Sequence, residues 1–204
     1  AEFAAARAGQ GIAGFGVGGD EGRGPAGLFA GAFRLARERG LRLTVHAGET
    51  AGPASVWAAL ELGAERIGHG IRSMDDPVLV RHLRDRRIPL EVCLSSNLAT
   101  GAVRTLREHP LRRLYDAGVP VTLNTDDPAM FRTCLSREFA LAHSEMGFPV
   151  EELREIAANA FRYANAVTIT ATHRKGVLNI IVDDDGPGIP ADQREEVFKP
   201  FVRL

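Results

Sequence analysis

Five times before residue 128 the chain repeats one course: a short apolar run, a cluster of chemically active residues at its end, then a longer amphipathic stretch. The apolar runs are 11–17 (GIAGFGV), 41–46 (LRLTVH), 65–69 (ERIGH), 88–93 (IPLEVC) and 119–124 (VPVTLN). The clusters are Gly19-Asp20-Glu21, His46-Ala47-Gly48-Glu49, Gly68-His69-Gly70, Ser95-Ser96-Asn97 and Asp126-Asp127-Pro128. Helical spacing marks 26–39, 54–62, 76–86, 102–116 and 131–146, with Pro53 suited to a helix start and Gly40, Gly63 and Gly118 to helix stops. Strand–helix–strand with short loops predicts parallel strands joined by right-handed crossovers. Strands buried on both faces need not alternate, which fits the continuous apolar runs.

The position of the polar clusters narrows the α/β class. A doubly wound sheet binds ligands at one crevice, where its strand order reverses. A (β/α)8 barrel builds its site from the loops after all its strands. Chemistry after five successive strands predicts the barrel. Five strands fall short of the eight that close one, so the expected fold is a partial TIM barrel.

The 204 residues are 45% hydrophobic and 25% charged, a globular composition. A net charge of −1 offers no bulk attraction to nucleic acid or an anionic membrane. No apolar run approaches the ~20 residues of a membrane helix. The first ten residues, AEFAAARAGQ, do not read as a signal peptide, and they lack a starting Met, which suggests a start inside a longer reading frame or after processing. Cys93 and Cys134 are not spaced as a metal or redox pair and read as small buried residues of a reducing, cytoplasmic protein.

Singly, each cluster has a plain structural reading: a core imidazole, a turn with a capping carboxylate, a tight backbone passage. Jointly, GGDE at 18–21, TVHAGET at 44–50, ERIGHG at 65–70, LEVCLSSN at 90–97 and LNTDDP at 123–128 resemble the adenosine deaminase family of the amidohydrolase superfamily. The resemblance spans roughly residues 1–163, and GGDEGRGPA with HAGETAGPASVWAAL is similar to the bacterial branch that includes aminodeoxyfutalosine deaminases.

That resemblance implies a zinc hydrolase that replaces the exocyclic amine of a 6-aminopurine nucleoside with oxygen, releasing ammonia. It implies His46 and Asp126 as zinc ligands, Glu49 as proton donor to the purine ring and His69 as the group orienting the attacking water. It implies Gly19 and Asp127 as substrate contacts. Zinc would bring the pKa of water near neutrality. The family also carries an HxH pair after its first strand. Here the histidines are 46, 69, 82, 109, 143 and 173, and no two stand two apart. The chain is therefore expected to begin near the fourth strand, with an incomplete zinc site. Leu94 stands where the family usually has Pro, a minor departure. His82, His109 and His143 read as structural or surface residues, and Arg81–Arg87 as a solvated helix face.

The pattern changes after residue 163. Residues 166–172 and 177–183 alternate like antiparallel strands around a turn at His173–Gly176. VDDDGPGIP and FKPF then resemble the ATP-binding domain of sensor histidine kinases, with Asp184, Gly186 and Gly188 in its glycine box. Asn159 matches either that domain's Mg2+ residue or the helix after the last barrel strand. Residues 1–174 hold 21 arginines and no lysine, whereas Lys175 and Lys199 lie in the tail. The expected organisation is a deaminase barrel portion, 1–163, joined to an α+β kinase-like fragment, 164–204. That fragment stops short of the lid over the phosphates, so little ATP or Mg2+ binding is expected of it. Three functions follow: a deaminase, a nucleotide-binding signalling fragment, or an inactive chimera that needs a partner supplying the missing strands.

Overall fold

A computed structural model describes residues 1–160, 167–174 and 177–184. Five parallel strands form one sheet: β1 (Gly14–Val17), β2 (Arg42–Ala47), β3 (Arg66–His69), β4 (Leu90–Val92) and β5 (Val121–Leu123). Their spatial order is the chain order, β1-β2-β3-β4-β5, with no reversal. A doubly wound sheet requires a reversal. The arrangement is that of successive barrel strands, and all five predicted strands are present; β2 runs one residue further than expected, to Ala47, and the other four are shorter.

The helices cover the sheet with apolar faces. A short α1 (Glu2–Ala5) precedes β1, and a 3-10 turn at Ala26–Phe29 leads into α2 (Ala30–Glu38). Phe33 of α2 is fully buried and meets Phe15 edge-on at 5.2 Å between ring centres. Helix α3 (Pro53–Glu61) begins with Pro53 after Gly52, where a missing N–H costs nothing. Helix α4 (Pro77–Asp85) is capped by Asp76, whose carboxylate accepts from the N–H groups of Val78 (2.8 Å) and Leu79 (3.2 Å). The other Asp76 oxygen accepts from the Trp57 indole at 3.0 Å, tying α3 to α4.

Three helical predictions change. Ser95-Ser96-Asn97, read as a loop, lies within α5 (Leu94–Ala99). Apolar Leu94 and Leu98 flank the polar run, and Leu94 is fully buried, so packing outweighs the turn preference of Ser and Asn. The stretch 102–116 is not one helix. Thr105 caps a 3-10 turn at Leu106–Glu108, and α6 (Leu111–Asp116) begins only after Pro110. The stretch 131–146 is split between α7 (Pro128–Phe131) and α8 (Leu135–Ser144), with Arg132 in the left-handed region at φ 49°. Helix α9 (Val150–Ala160) follows.

Val45, Ile67, Leu90, Val92 and Val121 from the strands pack with Leu79, Leu83, Leu114, Leu153 and Ile156 from the helices in one continuous core. Both cysteines are free; Cys93 is buried as expected, but Cys134 is exposed, because it precedes α8 at the break after Arg132. The predicted tail hairpin is present as β6 (Val167–Arg174) and β7 (Val177–Asp184), antiparallel with Val167 opposite Asp184 and Arg174 opposite Val177. Gly186 and Gly188 lie outside the described residues. Among the described residues no helix is long and apolar enough to cross a membrane.

Candidate active site

The C-terminal ends of β2, β3 and β5 bring four of the predicted residues together. His46 is the penultimate residue of β2, opposite Gly68, and His69 ends β3. The two imidazoles meet edge-to-face, 4.8 Å between centres. His69 Nε2 lies 3.7 Å from Glu49 Oε2 and 3.9 Å from Asp126 Oδ2. Glycine makes room for the His46 ring: a Cβ at Gly68 would lie 2.5 Å from its Cδ2, and one at Gly18 3.1 Å from its Cε1.

His69 and Asp126 hold positive φ angles, 62° and 55°. A non-glycine residue there costs on the order of 1 kcal/mol or more, a strain that concentrates at functional sites. Both are held by neighbours. The Ser96 hydroxyl donates to Asp126 Oδ2 at 2.7 Å. Asn97 Nδ2 lies 3.0 Å from His69 Nδ1 and donates to Glu49 Oε1 at 3.2 Å. Thr100 Oγ1 donates to that same Glu49 oxygen at 2.9 Å. Burial holds the His69 pKa below that of an ordinary imidazole, and the Glu49 carboxylate only partly offsets this.

The loop carrying Glu49 hangs on Glu21, a residue that the sequence places in a strand-end cluster without giving it a role. Glu21 accepts from the backbone N–H groups of Gly48 (2.8 Å), Glu49 (2.7 Å), Thr50 (2.7 Å) and Ala51 (3.0 Å), and from the Ser55 hydroxyl. Burial alone would push its pKa up; the hydrogen bonds from Ser55, Ala51, Thr50 and Gly48 win and hold it below the usual carboxylate range. On the other side, buried Glu138 of α8 accepts from the Ser95 N–H at 3.1 Å and from the Thr133 hydroxyl, fixing the start of α5.

Gly19 and Asp127 are exposed, at the ends of β1 and at the start of α7. Gly19 takes φ 106°, a conformation suited to glycine. Asn159 lies on α9, and its amide donates to the Val121 carbonyl of β5 at 3.1 Å, so it is used by the sheet. Asp184 ends β7. His82 packs against Trp57, and His143 Nδ1 meets the Phe148 carbonyl at 2.7 Å. His109, expected to be structural or on the surface, is buried and bonded to Asn97, and burial pushes its pKa down to about 4.

Could these residues hold a metal? An imidazole and a carboxylate are zinc donors, and the Asp126 oxygen already carries an outer hydrogen bond from Ser96, as ligating carboxylates do. A catalytic zinc usually takes three protein ligands. Among the described residues no group of three or more His, Cys, Asp or Glu could hold a metal ion. The donor types fit zinc; a full set is not assembled here.

Comparison with known proteins gives the chain's family. The adenosine deaminase family model matches residues 1–183, past the 163/164 boundary read from the sequence. An aminodeoxyfutalosine deaminase of Streptomyces coelicolor is 51% identical over 151 residues, 74% of this chain and 39% of the relative. The crystal structure of adenine deaminase from Arthrobacter aurescens matches with TM-score 0.73 at 38% identity, over 76% of this chain and 48% of that one. An amidohydrolase from Burkholderia ambifaria, solved with bound Zn, matches with TM-score 0.69 at 30% identity, over 78% of this chain and 47% of that one. The chain spans about half the length of the solved proteins it matches, or less for the curated relative. By the family match over residues 1–183, the chain belongs to the adenosine deaminase family.

Proposed function

We propose that this chain carries the strand-end portion of a zinc-dependent deaminase of 6-aminopurine nucleosides. The observation that carries the reading is the convergence of Glu49 and Asp126 on one nitrogen of His69, at 3.7 and 3.9 Å, with His46 against the same ring. His46 and Asp126 would hold the metal, and the remaining ligands would come from strands supplied by another segment or chain. When bound, Zn2+ supplies the Lewis acidity that makes a nucleophile available from water near neutral pH.

The chain's own groups divide the remaining work. Glu49 Oε1 is engaged by Asn97 and Thr100, which leaves Oε2 to pass a proton to the purine ring nitrogen beside the amine-bearing carbon. Negative charge then does not accumulate in the ring. Water adds to that carbon; one of its protons moves to the leaving nitrogen and the other returns to Glu49, and the products are ammonia and an inosine-type nucleoside. His69 orients the attacking water between Glu49 and Asp126. The Gly19 N–H and Asp127 take purine nitrogens. Nucleosides larger than adenosine, such as the substrate in the name of the Streptomyces relative, fit the same chemistry.

Metal content and adenosine turnover on one preparation test this reading. The isolated chain should bind zinc below one equivalent and turn over weakly or not at all. Adding a segment that carries the HxH ligands should raise both, and His46→Ala should abolish the gain. Tight stoichiometric zinc in the isolated chain, or no gain with the segment, would contradict the reading.

A second reading concerns residues 164–204. The antiparallel β6–β7 pair ends on Asp184, which in sequence stands two residues before Gly186 and four before Gly188, the spacing of the kinase glycine box, and this supports a fused, nucleotide-binding tail and hence a chimeric chain. Against it, Asn159 is spent on β5 and the deaminase match runs through residue 183. Millimolar ATP with Mg2+ that leaves the amides around Asp184 unshifted by NMR would remove it.

A further inference from the structure

Three buried polar side chains behind the site form a chain whose hydrogens can be placed from one end. The Leu111 backbone N–H donates to His109 Nδ1 at 3.1 Å. A backbone N–H is always a donor, so Nδ1 must accept, and the proton of a neutral His109 sits on Nε2. His109 Nε2 lies 3.2 Å from Asn97 Oδ1, so Oδ1 accepts. The Asn97 amide nitrogen then faces His69 Nδ1 at 3.0 Å and Glu49 Oε1 at 3.2 Å, spending one proton on each. Rotating this amide by half a turn would set its oxygen against the Glu49 oxygen and its N–H against the His109 N–H. Both ends forbid that. His69 Nδ1 therefore accepts, and its proton is on Nε2, the atom nearest Glu49 and Asp126.

We infer that Asn97 and His109 are positioning residues that transmit the direction of one backbone N–H, that of Leu111, through two side chains to fix His69 as its Nε2–H tautomer. Burial enforces the relay, since Asn97 is 0%, His69 1% and His109 3% exposed. An unmatched donor or acceptor among such buried side chains keeps its desolvation penalty. His109 stays neutral over the relevant range because burial and the neighbouring His69 disfavour its cation. The consequence for catalysis rests on the deaminase reading: a neutral His69 presents an N–H, not a lone pair, to the attacking water. The tautomer itself does not depend on that reading.

The test is long-range 1H–15N NMR of the histidine rings in the full chain at pH 8, where the coupling pattern distinguishes the two tautomers. Wild type should show His69 wholly as Nε2–H and His109 likewise. Asn97→Asp, which puts a carboxylate oxygen opposite Nδ1, should move the His69 proton to Nδ1. His109→Phe leaves the Asn97 oxygen without its donor, so that only the Glu49 contact still orients the amide, and should let a minor Nδ1–H form of His69 appear beside the Nε2–H form. His109→Gln, which can donate again, should restore the single Nε2–H form. A wild-type His69 carrying Nδ1–H, or a pure Nε2–H form persisting in His109→Phe, overturns the inference. The wild-type spectrum decides even if a variant does not fold. Nε2–H in wild type with no turnover in any assembly would sink the deaminase reading and leave the relay standing; turnover with Nδ1–H would do the reverse.

Discussion

The two ends of β2, β3 and β4 solve the same electrostatic problem differently. Toward their starts, each carboxylate has a cation: Arg42 pairs with Glu65, and Arg66 Nε lies 2.7 Å from Glu91 Oε1. At the opposite, C-terminal edge of the sheet, Glu49 after β2 and Asp126 after β5 are met by neutral partners, Asn97, Thr100, Ser96 and an imidazole whose pKa is lowered. The first end is self-neutralised, which suits a scaffold. The second holds two half-buried carboxyl groups among neutral partners, an arrangement that a cation arriving there would stabilise. The difference teaches where the strands spend stability and where they keep chemistry available.

Changes at the clamp beneath the site should be felt most. Glu21→Leu strands four backbone N–H groups and the Ser55 hydroxyl, and chemical denaturation should show a loss of about 3–5 kcal/mol. Because the folded pKa of Glu21 is depressed, its stabilisation is complete above the ordinary value of 4.5 and disappears as pH falls through the lower folded value. Glu21→Gln should flatten that acid limb. An equally small loss in Glu21→Leu and in a surface variant would remove the distinction drawn between the two ends.

His109 gives the next effect. Its pKa of about 4 in the folded chain lies below the ordinary 6.5, so the folded state takes up its proton later than the unfolded state. Stability should therefore be intact above pH 6.5 and decline by about 3 kcal/mol as pH falls to about 4. Urea midpoints measured across that window in wild type and His109→Gln check this; parallel profiles would contradict it.

Gly68→Ala separates site from scaffold. Its Cβ would meet His46 Cδ2 at 2.5 Å, so the ring must move. Metal titration should show at least about tenfold weaker zinc binding, the order seen when support around a metal site is lost, with a smaller change in unfolding. Ser96→Ala removes one hydrogen bond to Asp126 and should cost about 1–2 kcal/mol. At the opposite end, Glu65→Ala breaks an exposed pair with Arg42 and should stay within about 1 kcal/mol.

Much of the frame was legible in the sequence, because each strand lies in a short run that carries Val, Ile or Leu and is bounded by turn residues. Four of the proposed site residues were legible because they lie at or just beyond the C-terminal ends of those strands. What escaped depends on partners far along the chain. Glu21 reads as the last letter of a glycine-rich turn; nothing in its spacing says that it reaches residues 48–55. Asn97 reads as a loop residue until Leu94 is seen to be buried, which turns the segment into a helix aiming the amide at His69. His109, beside Pro110, has no periodic signal, and its role exists only through Asn97. Cys134 was expected inside and is exposed, since the break at Arg132 lies in a stretch read as one helix. The proposed boundary at 163 rested on composition and on a motif whose glycines lie outside the described residues.

The central claim is that Glu49, set by Glu21 and Asn97 beside a His46–Asp126 metal site, delivers the proton in purine deamination. The most direct measurement follows the absorbance change of adenosine to inosine in the chain complemented with an HxH-bearing segment, with zinc counted in the same sample. Wild type should turn over, and Glu49→Gln should keep its zinc while losing at least about a hundredfold in rate, the typical contribution of general acid catalysis. Zinc-loaded wild type that leaves adenosine unchanged, or a Glu49→Gln variant as fast as wild type, would contradict the account.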